Sequence, residues 1–359
     1  MSKISQIFLL TLIGGLALLL NSCKTDPNSD IADVQIAWNL VRLDQKMLAA
    51  AKEIQQSPDS NYFEAYQHHL ADEREFLFYF TGLEMVEAQR GPIPENLIDT
   101  LIALKFGPVL ADSLLLALLD TVQQVFPTDA AIESAITPLL KRVHLHFPDL
   151  ELPEIRTHVN GYTPAMRLDQ VDQTFAAPGY LSLGLHYYLG PDYRYLSPTL
   201  PGYLRKRFSP AYMECNMAHE FAFGLVPTGL LPPRASLIEK MVHAGIRQEV
   251  VDELLPNTPD SMKLFYTTSA MEWAEVHEKN VFIELSPDLY GKGYVLHRDY
   301  LGEAPFTRRI SRESAPRLGM FTGWKIVEAF RERNPDIRLD SLIRITDYEG
   351  VFKRSGYKP

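Results

Sequence analysis

Only two cysteines, Cys23 and Cys215, occur in the 359 residues, so a disulfide-stapled scaffold is excluded. An excess of positive charge is also lacking. Lysine and arginine number 35 against 45 aspartates and glutamates, a net charge of −10. That balance argues against a nucleic-acid partner, whose phosphates call for a basic surface, and against broad attraction to anionic lipid. The chain carries no internal repeat, no low-complexity tract and no long linker. It has no G-x-S-x-G elbow, no phosphate-binding loop and no dinucleotide fingerprint, and no cofactor is expected. The apolar run "IFLLTLIGGLALLL", Ile7 to Leu20, holds 14 residues. As a helix it reaches about 21 Å, short of a bilayer core of about 30 Å.

What is present begins with that run. It follows the positive Lys3 and ends in "LNSC", Leu20 to Cys23. A charged start, a short apolar segment and a cysteine resemble a bacterial lipoprotein signal, cleaved before the cysteine, which then carries acyl chains such as palmitate. The alternatives are an uncleaved helical anchor and an ordinary signal peptide. The expected organisation is a signal peptide over 1–22, a lipid-anchored tether over 23–30 and one globular domain over 31–359. The tether "KTDPNSD" is polar, as a linker should be. Cys215 is then left unpaired, and a domain of this size can bury enough apolar surface without a disulfide.

Hydrophobic spacing predicts an α+β, mostly helical fold with a small β-sheet. Val34, Ile36, Trp38 and Leu40 alternate as in a strand with one buried face. Helical spacing takes over from Asp44. Residues 61–148 read as several helices broken at "RGPIP", "KFGP" and "FPTD". "LPEIRTHV", Leu152 to Val159, and "YLSLGLHYYLG", Tyr180 to Gly190, read as strands. Ser209-Pro210 opens the helix that carries His219, and Ser236-x-x-Glu239 is a capping box for the next. Further starts fall at Thr258-Pro259-Asp260, at Ser269-x-x-Glu272 and after Pro316. A last helix is expected from about Leu339 to Phe352.

The chemistry centres on "AHEFAFG", Ala218 to Gly224. A zinc-hydrolase helix of the H-E-x-x-H type places two imidazoles one turn apart on the metal, with the glutamate as general base. Here His219 and Glu220 hold the first and base positions, but Phe223 stands where the second histidine would be. Where a third ligand is expected, the next helix offers His243 and Ala244. That set is not a zinc site. His219 therefore reads as a core or cleft histidine with a satisfied hydrogen bond, and Phe223 as a buried residue continuing an apolar face with Cys215 and Ala222. His144 and His146 fall in the last turn of a helix, where they suit the dipole. His68 and His69 read as a solvated face, as do Glu272, Glu275 and Glu278 at helical spacing. The basic cluster "LRKRF", Leu204 to Phe208, is too small to imply nucleic acid. Cys215 reads as inert packing.

With those residues in view, the chain resembles the gliding-motility lipoprotein GldB family of Bacteroidetes. The resemblance rests on "YLSLGLHYYLG", "LLPNTPDSMKLFYT", "EWAEVHEKNVF", "APRLGMFTGWKIVEAF" and "FKRSGYKP", supported by "VRLDQ" and "HFPDLELPEIRTHV". More distantly it is similar to a group of H-E-x-x-H metalloproteases. Their second histidine falls on Phe223, their later glutamate on Ala244, and a glycine- and aromatic-rich segment on Pro316 to Trp324. The resemblance implies a zincin-like domain with a degenerate motif helix. Its relict positions are His219, Glu220, Phe223 and Ala244, and a residual cleft lies near His219, Glu220 and Arg317. It implies a non-catalytic, lipid-anchored envelope protein, attached to the bilayer through acylated Cys23 and partnered with gliding or secretion machinery. The rival is a zinc-dependent peptidase with unorthodox ligands, His219, His243 and a glutamate.

Overall fold

The computed structural model describes residues 28–56, 62–160, 174–192 and 201–359. The first of these residues, up to Gln35, belong to a separate small unit that contains a short 3-10 turn, Ser29–Ile31. The body runs from Ile36 to Pro359. Its elements, in order, are β1 (Leu40–Val41), α1 (Leu43–Gln56), α2 (Tyr62–His69), α3 (Arg74–Phe80), α4 (Leu83–Arg90), α5 (Ile98–Leu110), α6 (Ser113–Val125) and α7 (Ala130–His146). Then come β2 (Glu154–His158), β3 (Thr174–Ala177), β4 (Tyr180–Gly184), α8 (Gly202–Arg205), α9 (Met213–Leu225), α10 (Leu237–Leu254), α11 (Asp260–Lys263) and α12 (Thr268–Val276). The last are α13 (Glu278–Leu285), α14 (Tyr294–Leu301), α15 (Leu318–Arg333), α16 (Leu339–Leu342) and α17 (Tyr348–Ser355). The fold is α+β and mostly helical, as its spacing predicted.

The described strands form one mixed sheet in the order β1-β2-β4-β3. β1, β2 and β4 run parallel, and β3 returns antiparallel to β4 through a turn at Gly179, whose φ is +77°. In register, Ile155 lies beside Leu181 and Thr157 beside Leu183. Ile155, Arg156, Thr157 and His158 are all buried, as are Leu181, Ser182 and Leu183. Both faces of these central strands are therefore covered, the usual condition of parallel strands. Buried polar groups on them find partners. Arg156 donates to Glu73 at 2.8 Å and lies over the Phe76 and Tyr180 rings. His158 Nδ1 and the Ser182 hydroxyl share a hydrogen bond of 2.7 Å.

Several boundaries differ from expectation. The alternating stretch from Val34 yields only the two-residue β1, because backbone pairing begins where β2 lies alongside it. The strand expected over Tyr180–Gly190 stops at Gly184 and becomes a 3-10 turn, Leu185–Tyr188. There the Tyr187 ring folds back over the glycine, where a Cβ would stand 2.8 Å from it. "KFGP" does not break a helix: α5 runs through Gly107 and Pro108. Pro108 is exposed, so the carbonyl it leaves unpaired can be solvated. α12 starts at Thr268, one residue before Ser269, and is capped by the Thr267 hydroxyl, which accepts from Ala270 N at 3.1 Å. The Glu272, Glu275, Glu278 stripe is not on one helix, because the chain breaks at His277. The His277 ring bonds the Trp273 carbonyl at 2.8 Å and stacks on its indole. Glu278 instead accepts from the Tyr357 hydroxyl. The last expected helix is two, α16 and α17, the second capped by Asp347. The capping box at Ser236 and Glu239 is formed as read.

The core centres on α10 and α15, which cross with the backbones of Gly245 and Gly323 in contact range. Trp324, buried there, donates its indole N–H to Glu249 at 2.9 Å. No single described helix is long and apolar enough to cross a membrane. The helical stretches Glu95–Leu110 and Ser113–Val125 reach that length and composition only when taken together, and they bend by 82°.

Two histidines lie deep against the sheet. Burial depresses His158 to about 3 and pushes His186 well below the usual range. Both are neutral in the fold and become protonated more readily once unfolded. The unfolded chain therefore binds more protons between about pH 3 and 6.5, and stability must rise with pH across that window. For a single such histidine the slope approaches 1.4 kcal/mol per pH unit, or about 2 kcal/mol between pH 6.5 and 5. Urea midpoints should fall accordingly on acidification, and His158→Gln should flatten the fall. An unchanged midpoint between pH 7 and 5 would contradict it.

Candidate functional site: an arginine-flanked histidine

α9 begins after a 3-10 turn, Pro210–Tyr212, with Ser209 before it. The proline sets the entry as expected, but the Ser209 side chain makes no capping bond. α9 buries Met213, Cys215, Met217 and Ala218, which leaves His219 and Glu220 half-buried at its edge. The His219 Nε2 donates to the Lys263 carbonyl at 2.7 Å, and its ring stacks on Phe265 with centroids 4.6 Å apart. Nδ1 is then the ring's lone-pair nitrogen. Burial lowers His219 to about 4 against the favourable Lys263 carbonyl, and Arg317, Arg207 and Arg247 lower it further. It is a neutral imidazole at pH 7.

Phe265 is the hub. Besides His219 it meets Tyr212, Arg207 at 4.5 Å and Arg317 at 5.8 Å. Arg207 forks onto Glu303 at 3.0 and 3.1 Å. Arg317 donates to the Leu264 carbonyl and stands 3.8 Å from Glu303. Phe265 and Arg317 both adopt left-handed backbone, with φ of +55° and +48°, alone among the described non-glycine residues.

Of the residues singled out in the sequence, His219 and Arg317 meet here through Phe265. Glu220 turns to β3, accepting from the Thr174 hydroxyl at 2.9 Å. His243 is elsewhere: its Nε2 donates to the Pro227 carbonyl at 3.2 Å and its ring abuts Tyr348 edge-on. Ala244 is half-buried on α10. No group of three histidine, cysteine, aspartate or glutamate side chains among the described residues could hold a metal ion, so His219, His243 and a glutamate are not gathered. Cys215 is buried, and burial pushes its thiol up to about 12, which suits inert packing. His144 and His146 do occupy the last turn of α7. His68 and His69 are not simply solvated: both bond Glu53, at 2.9 and 2.8 Å. Cys23 lies outside the described residues.

Phe223 corrects the expectation of a buried ring. It is 50% exposed. One turn beyond the half-buried His219, it sits at the solvent side of α9, where the Arg247 guanidinium covers it at 4.6 Å. Phe223→Ala should therefore cost no more than about 1 kcal/mol, the worth of an exposed cation–π contact, in a urea titration. A loss above about 3 kcal/mol, typical of an emptied core site, would contradict that.

Sequence reasoning missed Arg207 as a site residue, and with it Arg247, Phe265, Tyr266 and Glu303. They lie on separate elements with no local motif. Only the stretch "LLPNTPDSMKLFYT" drew notice to Phe265 and Tyr266, and "LRKRF" to Arg207.

The described chain is thus an α+β, mostly helical protein in which a neutral histidine is framed by arginines and an aromatic ring. It belongs to the family of the gliding motility protein GldB, whose family model matches residues 24–359. No curated protein and no solved structure gives a significant match. Membership makes it a protein of the gliding-motility type.

Proposed function

We propose that the chain is a lipid-anchored, non-catalytic binding component of the cell envelope that works with gliding or secretion machinery, on a zincin-like framework whose metal chemistry has been lost. The observation that carries the non-catalytic reading is the state of His219. Its Nε2–H is committed to the Lys263 carbonyl, Phe265 covers its ring, and Phe223 stands where a second imidazole would be needed. Glu220, in the general-base position, is held by Thr174. The family match and the lipobox-like "LNSC" support acylation of Cys23 and residence at a membrane of the envelope.

Cys23→Ser should leave the protein unprocessed or shift it from the membrane to the soluble fraction. The folding of the body, which begins at Ile36, should be untouched. Retained acylation in that variant would refute the anchor. Co-purification of the wild-type protein from native membranes should recover envelope partners. Stoichiometric zinc in the purified protein, lost on His219→Ala, would replace this reading with a zinc-dependent peptidase.

A further inference from the structure

We infer that the side-chain cluster around Phe265 receives an oxyanion, a carboxylate or phosphate head group carried on a larger ligand, with Arg317 and Tyr266 as its donors. The inference rests on the reading of this site as a binding site.

The donors are in excess here. One Arg317 Nη serves the Leu264 carbonyl, and the other is 3.8 Å from Glu303, too long for a hydrogen bond. Its Nε is buried and has no hydrogen-bond partner among the described residues, and neither has the buried Tyr266 hydroxyl. That hydroxyl lies in the field of Arg317 and Glu303. Glu303 is already occupied by the two-pronged Arg207 contact. Arg247, the third cation acting on His219, donates its Nε to the Val226 carbonyl at 2.7 Å, and its buried Nη2 has no hydrogen-bond partner among the described residues. Buried polar groups are rarely left unpaired, since each costs about 1–3 kcal/mol.

Backbone strain points to the same place. A left-handed residue other than glycine costs about 1–2 kcal/mol, and such residues gather at ligand sites. Phe265 and Arg317 are both strained, and their side chains meet. The strain at 265 sets the ring between His219 and the guanidinium groups. That at 317 places the guanidinium over this ring at the start of α15. An oxyanion fits the excess of N–H and O–H donors, the positive field and the planar fork of arginine. A cation would meet that field unfavourably, and the neutral His219 supplies no charge to offset it.

The test uses the full-length acylated protein in detergent, titrated with succinate and with inorganic phosphate at constant ionic strength, with chloride as reference. Saturable binding by calorimetry is expected for at least one of the two, and which one binds identifies the head group. Arg317→Lys, which keeps the charge and loses the fork, should weaken binding at least about tenfold. Tyr266→Phe should weaken it several-fold without changing the circular dichroism spectrum. Bound anion should also raise the His219 titration midpoint above about 4. Absence of saturable binding by both anions would overturn the proposal, as would wild-type affinity in both variants. Peptide hydrolysis by the same preparation would overturn the non-catalytic reading, while the anion titration would still decide the site.

Discussion

Gly323→Ala is expected to destabilise the protein by about 3 kcal/mol or more, at the upper end for overpacking, because the clash is backbone against backbone. α15 crosses α10 so closely that a Cβ on Gly323 would run into the Met241 carbonyl. On the facing helix, a Cβ on Gly245 would run into the Gly323 carbonyl and stand 2.8 Å from Trp324 N. A side chain in such a place could rotate away, but a helix carbonyl cannot. The helices would have to separate, loosening Trp324 from Glu249 and the buried Val242, Ile246 and Val327 around them. Gly245→Ala should act the same way. The two share one contact, so the double variant should lose less than the sum of the singles. Gly224→Ala is the control. It lies in the last turn of α9 with nothing within 4 Å of an added Cβ, and should be neutral or stabilising by about 0.5–1 kcal/mol. Urea midpoints of the four variants decide the matter. A Gly323→Ala chain within about 1 kcal/mol of wild type would mean that the crossing is looser than the structure has it.

That crossing also indicates what the sequence could reveal. Gly323 was visible inside "APRLGMFTGWKIVEAF" with its aromatic neighbour Trp324, and Gly245 only as the residue after Ala244. Their physical role, two helix backbones in contact, needs the partner helix and cannot be read from either stretch alone. Elements with strong local signals came out as read: the Ser236 capping box, the strand around Ile155, the histidines ending α7. Signals that compete with tertiary packing misled. Pro108 suggested a break, yet an exposed proline near a helix end is tolerated. Leu185 to Tyr188 looked like more strand, yet Gly184 lets the chain turn beneath the Tyr187 ring. Phe223 looked like core because it is aromatic and follows a buried turn, but only the neighbouring α10 determines which edge of α9 stays open. Of the site, His219 and Arg317 were legible. The residues that frame them were not, because residues 207, 265 and 303 join only through the fold.

Arg42→Ala should carry the other large penalty, about 3–5 kcal/mol, the cost of leaving a buried charge uncompensated. Arg42 is part of "VRLDQ", and the structure gives that stretch a physical role. Just after β1, the Arg42 side chain is 7% exposed and that of Asp44, in the first turn of α1, is 2% exposed. The guanidinium grips the carboxylate in a fork, Nε to Oδ1 at 2.9 Å and Nη2 to Oδ2 at 2.8 Å. Nη2 also donates to the Phe126 carbonyl at 2.8 Å, and Nη1 to Asp129 at 3.0 Å. Asp44 in turn accepts from the hydroxyl of Thr157 on β2. One ion pair thus ties the edge of the sheet, the start of α1 and the end of α6. Lysine cannot replace it, because a single ammonium lacks the planar fork. Asp129 is about half exposed, so Asp129→Asn should cost less than about 1 kcal/mol. Removing both charges with Arg42→Met and Asp44→Leu should recover much of the single variant's loss, since the penalty lies in the orphaned carboxylate rather than in the missing attraction. Chemical unfolding of the three variants tests this. Arg42→Ala costing no more than Asp129→Asn would show that Asp44 is not sealed from water and that the edge of the sheet is held by other contacts.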